Sequence, residues 1–453
     1  MHSRTDNYTY LTTAPIRKVI PTMAVPTIIS MLVTGMYNMA DTFFVGQLDT
    51  PSTAAVGVVF SLMFFMQAFG FFFGHGSGSY IARELGARRQ GNARRMATNG
   101  FVLSFLLGVA FTVLGLTFLR PLSLALGSTP TILPLTERYL GISLLGIPFL
   151  TSSLTLNNQL RLQGNAAYAM VGIVTGAIIN VALDPLLIFT LGMGIQGAAL
   201  ATVVGQVVSF CILLRMSHHK GNIGVHWRDF SLSLQDLKEI FYGGSPSLMR
   251  QGLLCISTTM LNHCAGVWGD EAIAGMTIVG RITMLVMAVV IGLGQGFQPL
   301  CGFCYGAGLH NRLKRAWWFT VGTGTAFLLC VSALGWLFSA DLIAIFRNDA
   351  GVIAIGVVAL RWQLSTIPLN ATIMASNMIT QTCRKPWRAN VLAAARNGLF
   401  FIPLIVLLPR WFGLKGIEMC QSWSDILAFL ITVPIMVYTL RELNEPEKSA
   451  TAG

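Results

Sequence analysis

Windows of about 20 apolar residues recur along the whole of this 453-residue chain, and each is long enough to cross roughly 30 Å of hydrocarbon as a helix. Twelve can be counted, beginning near residues 18, 53, 96, 132, 166, 195, 241, 272, 316, 351, 391 and 416. In lipid the backbone must satisfy its own hydrogen bonds, so such windows become helices or strands of a closed barrel. Barrel strands need alternation with a period of two, and none is present. The fold class expected is an all-α polytopic membrane protein with twelve transmembrane helices. Composition agrees: only 11% of residues are charged, against roughly 25% in soluble domains. No sizeable soluble domain fits beside twelve spans. The first apolar stretch is full length and lacks a small-residue cleavage site, so no cleavable signal peptide is expected.

A net charge of +12 raises the question of nucleic acid, and its distribution answers it. Of 30 Lys and Arg, 21 fall in alternate inter-span segments: the N-terminus with Arg4, Arg17 and Lys18, the turn from Arg83 to Arg95, Arg161, and the central loop from Arg215 to Lys238. The turns at Arg312–Arg315 and Arg384–Arg388 and the tail with Arg441 and Lys448 complete the set. The opposite segments hold four. This asymmetry is the positive-inside pattern. It predicts a multi-pass protein of the cell (inner) membrane with both termini cytoplasmic, and no nucleic-acid partner. Eight cysteines, mostly within spans, suggest no disulfide framework. The Cys301–Cys304 spacing lacks a second ligand pair and reads as packing.

Shifted by 220 residues, the sequence matches itself. "GHGSGSYIARELGARRQGNARR" from Gly74 lies over "GQGFQPLCGFCYGAGLHNRLKR" from Gly294, and "GIP" at Gly146–Pro148 over "TIP" at Thr366–Pro368. Near the ends the register slips by a residue or two. Six spans repeat as six, so both halves begin on the same side. This predicts two six-helix lobes: an N-terminal lobe over 1–215, an inter-lobe loop over 216–240 and a C-terminal lobe over 241–453. Parallel repeats of this kind bind solutes between the halves and rock about them.

Within this apolar background two carboxylates stand out. Asp41 is the only charge between Val19 and Leu48, and Asp184 the only one between Ala166 and Leu214. A carboxylate in a span costs about 3 kcal/mol on insertion scales and marks an ion or proton path by default. Asn180 precedes Asp184 by four, which puts both on one helix face. Ala198 and Thr202 have the same spacing on the next span. Pro185 removes a backbone donor and is expected to kink span 5. Asp41, Asn180, Asp184, Thr202 and Ala198 are thus candidates for binding a coupling cation, H⁺ or Na⁺, through hard oxygens. A structural reading competes: Asp41 as a cap at the outer end of span 1, Asp184 as a partner for backbone freed by the proline. Tyr37, Asn157 and Gln295 are candidates for the substrate cavity. Arg250, Arg281 and Arg396 are expected to pair across helices or anchor at an interface. No Walker-type phosphate loop occurs, so ATP drive is not expected.

The segments "NMADTFFVGQL", "IARELGARR", "RLQGN", "IINVALDPLLIF" and "GIQGAALATVVGQ" in the first half resemble the multidrug and toxic compound extrusion (MATE) family. So do "IVGRI", "GLGQGFQPLCGFCYGAG" and "RNGLFFIPLIVLLP" in the second. The similarity covers about residues 15 to 440, and within the family the chain is similar to the prokaryotic DinF-like and MepA-like members. It implies a non-enzymatic antiporter that exports organic cations and other amphipathic solutes against H⁺ or Na⁺. By matching motif positions, Asp41, Asn180, Asp184 and Thr202 resemble the family's N-lobe cation site. Two departures stand against the pattern: Gln295 and Asn157 occupy places where MepA-like relatives carry Glu, and amides cannot titrate.

The reading expected is therefore a monomeric secondary efflux transporter without cofactor, working on small amphipathic substrates among membrane lipids. A lipid-linked precursor flippase of the same superfamily is the alternative, and a channel or receptor a more distant one.

Overall fold

The computed structural model describes residues 7–443, and Arg4 and Lys448 of the basic segments lie outside them. A short helix α1 (Asn7–Thr13) precedes the first half of the chain: α2 (Ile16–Gly46), α3 (Thr50–Gly86), α4 (Gln90–Thr117), α5 (Leu119–Ala125), α6 (Leu133–Leu162), α7 (Ala166–Pro185) and α8 (Ile195–Ser217). The second half runs α9 (Leu234–Gly266), α10 (Asp270–Gly306), α11 (His310–Leu337), α12 (Ser339–Phe346), α13 (Ala350–Thr366), α14 (Leu369–Thr382), α15 (Pro386–Ala394), α16 (Phe401–Phe412) and α17 (Leu414–Glu442). Each half contains one π-helical stretch, Leu186–Thr190 after α7 and Ala395–Leu399 between α15 and α16. No strand occurs among the described residues.

The 220-residue repeat reappears as geometry. Helices α3 and α10 are both 37 residues long, α4 and α11 both 28, and each pair is offset by 220. Turns that need positive φ recur in register: Arg88 with Gly308, and Gly164 with Arg384. So do single hydrogen bonds. Asn157 donates to the Ala169 carbonyl at 2.9 Å and Asn377 to that of Ala389 at 2.8 Å. Thr112 donates to Leu144 and Ser332 to Leu364. At one motif the halves diverge. Pro148 sits inside the continuous α6, whereas its counterpart Pro368 lies at a 55° bend between α13 and α14.

Among the described residues ten helices are long and apolar enough to span a bilayer, and the bent α13–α14 pair makes an eleventh. The twelfth expected span, α9, falls short of that hydropathy. It also begins at Leu234, ahead of the apolar window near residue 241. The reason is local: Ser233 caps it by accepting from the Asp236 N–H at 3.1 Å, and its first turns carry buried Asp236 and Glu239. At the opposite end of the spans Asp49 caps α3, and hydrogen bonds from Ser52 hold its carboxyl below the usual range.

The two halves meet near the end that carries the basic turns, called the basic face below. Here α3 and α10 pack closely enough that a Cβ on Gly306 would sit 2.0 Å from the Arg83 carbonyl. On α3, a Cβ on Gly76 would lie 2.3 Å from the Ile240 carbonyl of α9. Only glycine lets these backbones approach. Hydrogen bonds and ion pairs between the halves cluster in this basic half of the spans. Arg83 pairs with Glu239 at 2.8 Å, and Arg95 reaches Asp236. Arg312 bonds the Leu11 and Ala14 carbonyls at the end of α1.

Candidate functional site

Asp41 lies inside α2, which runs on to Gly46, so it caps nothing. Its residue is only 4% exposed and its Oδ1 has no partner. Asp184 closes α7 immediately before Pro185 and the π-helical stretch, and it is wholly buried. The proline does terminate the α-helix. A π-helical stretch follows, and neither carboxylate oxygen of Asp184 has a partner. That removes both structural readings of these acids.

One turn earlier, Asn180 donates to the Thr202 hydroxyl at 3.2 Å, and Thr202 in turn donates to the Ala198 carbonyl at 3.1 Å. This leaves Asn180 Oδ1 without a partner. The α7–α8 crossing is close because Gly176 and Gly205 face each other: a Cβ on either would meet the other's carbonyl within 2.8 Å. Asp41 and Asp184 are near enough to feel one another's charge, and both are felt by the buried Tyr139 of α6. Tyr37, one turn before Asp41, faces the same acid. Among the described residues no Lys, Arg or His forms an ion pair with either carboxylate.

The arrangement has a definite chemistry. Two carboxylates and an amide oxygen are enclosed with unmet acceptor capacity and no positive charge. Leaving such groups ionised and unpartnered in a low dielectric is costly, so the arrangement is chemically suited to accept a proton or a hard cation. Carboxylate, amide, hydroxyl and carbonyl oxygens are the donors a bare Na⁺ requires.

The three cavity candidates stand on three different helices, Tyr37 on α2, Asn157 on α6 and Gln295 on α10. Tyr37 is half-buried beside Asp41. Asn157 spends its amide on the α6–α7 bond already described. Gln295 is buried at the interface between the halves, where its carbonyl accepts from Arg161 Nη1 at 2.5 Å. Of the second-half arginines, Arg250 bonds Asn377 Oδ1 and Arg396 pairs with Asp425, both at 2.8 Å, while Arg281 is exposed.

Sequence reasoning missed a polar layer beneath the acids. Arg161 and Arg83 read as basic-loop charges, yet they are 1% and 9% exposed. The reason is geometric: the helices extend beyond their apolar windows, so charges at the window edges enter the interface. Arg161 donates to Gln298 Oε1, Asn158 Oδ1 and the Nε2 of His75. An arginine only donates, so His75 Nε2 accepts and its Nδ1 carries the proton toward the Phe71 carbonyl. Glu239 takes both Arg83 and Arg384, the latter at 2.6 Å. The signal available was the acid itself, near the start of a predicted span.

Comparison with known proteins places this geometry. The MatE family model matches residues 26–186 and again 246–407, once in each half. The chain is 24% identical over 440 residues to the multidrug export protein MepA of Staphylococcus aureus (strain NCTC 8325 / PS 47), covering 96% of both. It is likewise 24% identical over 446 residues to MepA of Staphylococcus haemolyticus (strain JCSC1435), covering 97% of both. In structure it is similar to an outward-facing conformation of a multidrug resistance MATE family transporter of the MOP superfamily. There the TM-score is 0.92 at 27% identity, covering 98% of this chain and 100% of the other.

Proposed function

Because this chain belongs to the MatE (multidrug and toxic compound extrusion) family, we propose that it is a multidrug efflux transporter that exports amphipathic organic solutes in exchange for H⁺ or Na⁺. The observation that carries the exchange is the buried pair Asp41 and Asp184, with three unpartnered carboxylate oxygens and no cation beside them. Protonation or Na⁺ binding there changes the charge enclosed by α2, α7 and α8, and so biases which lobe packing is stable. Asn180, Thr202 and the Ala198 carbonyl complete the cation's shell.

The positive-inside pattern makes the basic face cytoplasmic and puts both termini inside. The contacts between α3, α9 and α10 then close the cytoplasmic side. Residues 1–215 and 241–453 act as the two rocking bodies, joined by the 216–240 loop, and the protein works as a monomer in the cell membrane. Accumulation of a compound panel inside inverted vesicles, under separately imposed pH and Na⁺ gradients, tests the reading. Uphill export driven by one gradient supports it. Flux that runs only downhill, whatever the gradient, indicates a channel instead.

A further inference from the structure

The repeat allows the acids of the first half to be compared with their counterparts in the second. Gly194 and Gly413, 219 residues apart, cap the starts of α8 and α17 with positive φ. In this register Thr202 corresponds to Gln421 and Gln206 to Asp425. The matched bonds of Asn157 and Asn377 hold the start of α7 and α15 at an offset of 220, which sets Gly176 over Arg396. The helix crossing recurs at these positions. Gly176 meets Gly205 in the first half, and in the second the Ser424 hydroxyl donates to the Arg396 carbonyl at 2.5 Å.

The charges do not recur. The counterpart of Asp41 at the 220-residue offset is Leu261, which packs against the apolar core of the second half. That of Asp184, with Pro185 set over Pro403, is Ile402. A carboxylate stands instead one turn beyond Gln421, as Asp425, 2% exposed. Arg396 Nε donates to its Oδ1 at 2.8 Å, Gln421 to the same oxygen at 3.0 Å and Asn370 to Oδ2 at 2.9 Å. Both oxygens are therefore engaged, unlike those of Asp184. Asn370 and Gln421 are neutral amides, so Arg396 supplies the balancing charge. An arginine does not release its proton, and it cannot leave its helix. Without it, Asp425 would be a buried carboxylate beside Asn370 Oδ1, which already lacks a partner. That is the hard-oxygen setting that accepts a proton or Na⁺.

We propose that Arg396 is a tethered counter-cation, which permanently supplies to Asp425 in the second half the charge that an exchangeable H⁺ or Na⁺ supplies to the acids of the first. This makes Arg396 a specificity-determining residue: it confines ion exchange to one half. The charge enclosed by α14, the α15–π segment and α17 stays constant through the cycle, and only α2, α7 and α8 respond to the ion. The inference rests on the exchange reading above.

The test uses the full chain in lipid nanodiscs and follows the infrared C=O band of protonated carboxyl groups, as difference spectra on changing pH and on adding Na⁺. The Asp425 share of the band is the part that Asp425→Asn removes. In an Asp41→Asn/Asp184→Asn background that share should be absent, because Asp425 keeps its guanidinium. Adding Arg396→Gln to this background should make it appear, and Arg396→Lys, which restores a cation, should abolish it again. An Asp425 share that responds to pH or Na⁺ while Arg396 is in place overturns the assignment, and so does its absence after Arg396→Gln. If Arg396→Gln does not fold, the neutral pair Arg396→Gln with Asp425→Asn decides in the otherwise unaltered chain. Ion-dependent export retained by that pair supports the inference, and its loss overturns it. An unaltered protein whose Asp41 and Asp184 give no ion-dependent band removes the exchange reading, whereas the Arg396 variants report on Asp425 independently of transport.

Discussion

Two carboxylates and one arginine mark how far single residues can be read. Asp41 and Asp184 are legible because each is a lone charge in a long apolar run, and burial without a cationic partner explains why neither is a cap or a solvated edge. Arg161 is not legible, because a charge at a window edge looks the same whether it enters water or a neighbouring lobe. Removing the titratable proton while keeping the shape separates coupling from packing. Asp41→Asn and Asp184→Asn should each reduce proton- or Na⁺-driven uphill export in proteoliposomes to background while the purified proteins remain monodisperse. Wild-type uphill accumulation by either variant would falsify the assignment of that acid. Gln295→Ala is the contrast. Gln295 has no proton to exchange, so its loss should change substrate affinity and leave the ion dependence of transport in place. Loss of ion dependence in Gln295→Ala, with binding intact, would move coupling away from the first half.

At the scale of elements, the positions of most spans follow from apolar windows, because hydrocarbon enforces both length and helicity. What windows do not reveal is why α9 begins early or why α13 and α14 bend. The early start rests on the local Ser233 cap and on acids whose partners are distant in sequence, Arg83 and Arg384 for Glu239, and the bend at Pro368 has no counterpart at Pro148. Breaking one partner of a buried ion pair costs about 3–5 kcal/mol when both charges are enclosed. Arg384 is 55% exposed in its side chain and can turn to water, so the loss in Glu239→Gln falls mainly on Arg83. This variant should weaken closure at the basic face, read as a several-fold gain in cysteine labelling at buried Ser247 in the Glu239→Gln/Ser247→Cys protein over Ser247→Cys alone. Unchanged labelling would mean that the ion pairs do not hold this face. Gly76→Val should act in the same direction by a different cause. Its Cβ would enter the Ile240 backbone, where no flexible side chain can yield.

For the whole molecule, the repeat is the property that sequence conveys best, since lengths, turns and hydrogen bonds recur at the same offset. It also sets up the sharpest test of motion. Gln90 and His310 begin α4 and α11, correspond under the 220-residue shift, and stand on the basic face of opposite halves. If the halves rock as bodies, that face is closed in the packing described and separates when the cavity opens to the cytoplasm. Spin labels at these two positions should therefore give at least two distance populations, the shorter matching the packed arrangement. A ligand moves such an equilibrium only by its differential affinity for the two states, and about 1.4 kcal/mol of difference shifts the ratio tenfold. Lowering the pH or adding Na⁺ should redistribute the two distances in the unaltered protein. Asp41→Asn should remove that response while both distances stay observable, because the lobes remain able to rock when the ion can no longer bias them. A single distance, indifferent to ion and to Asp41, describes a static pore or scaffold, and the exchange mechanism would then have no moving part.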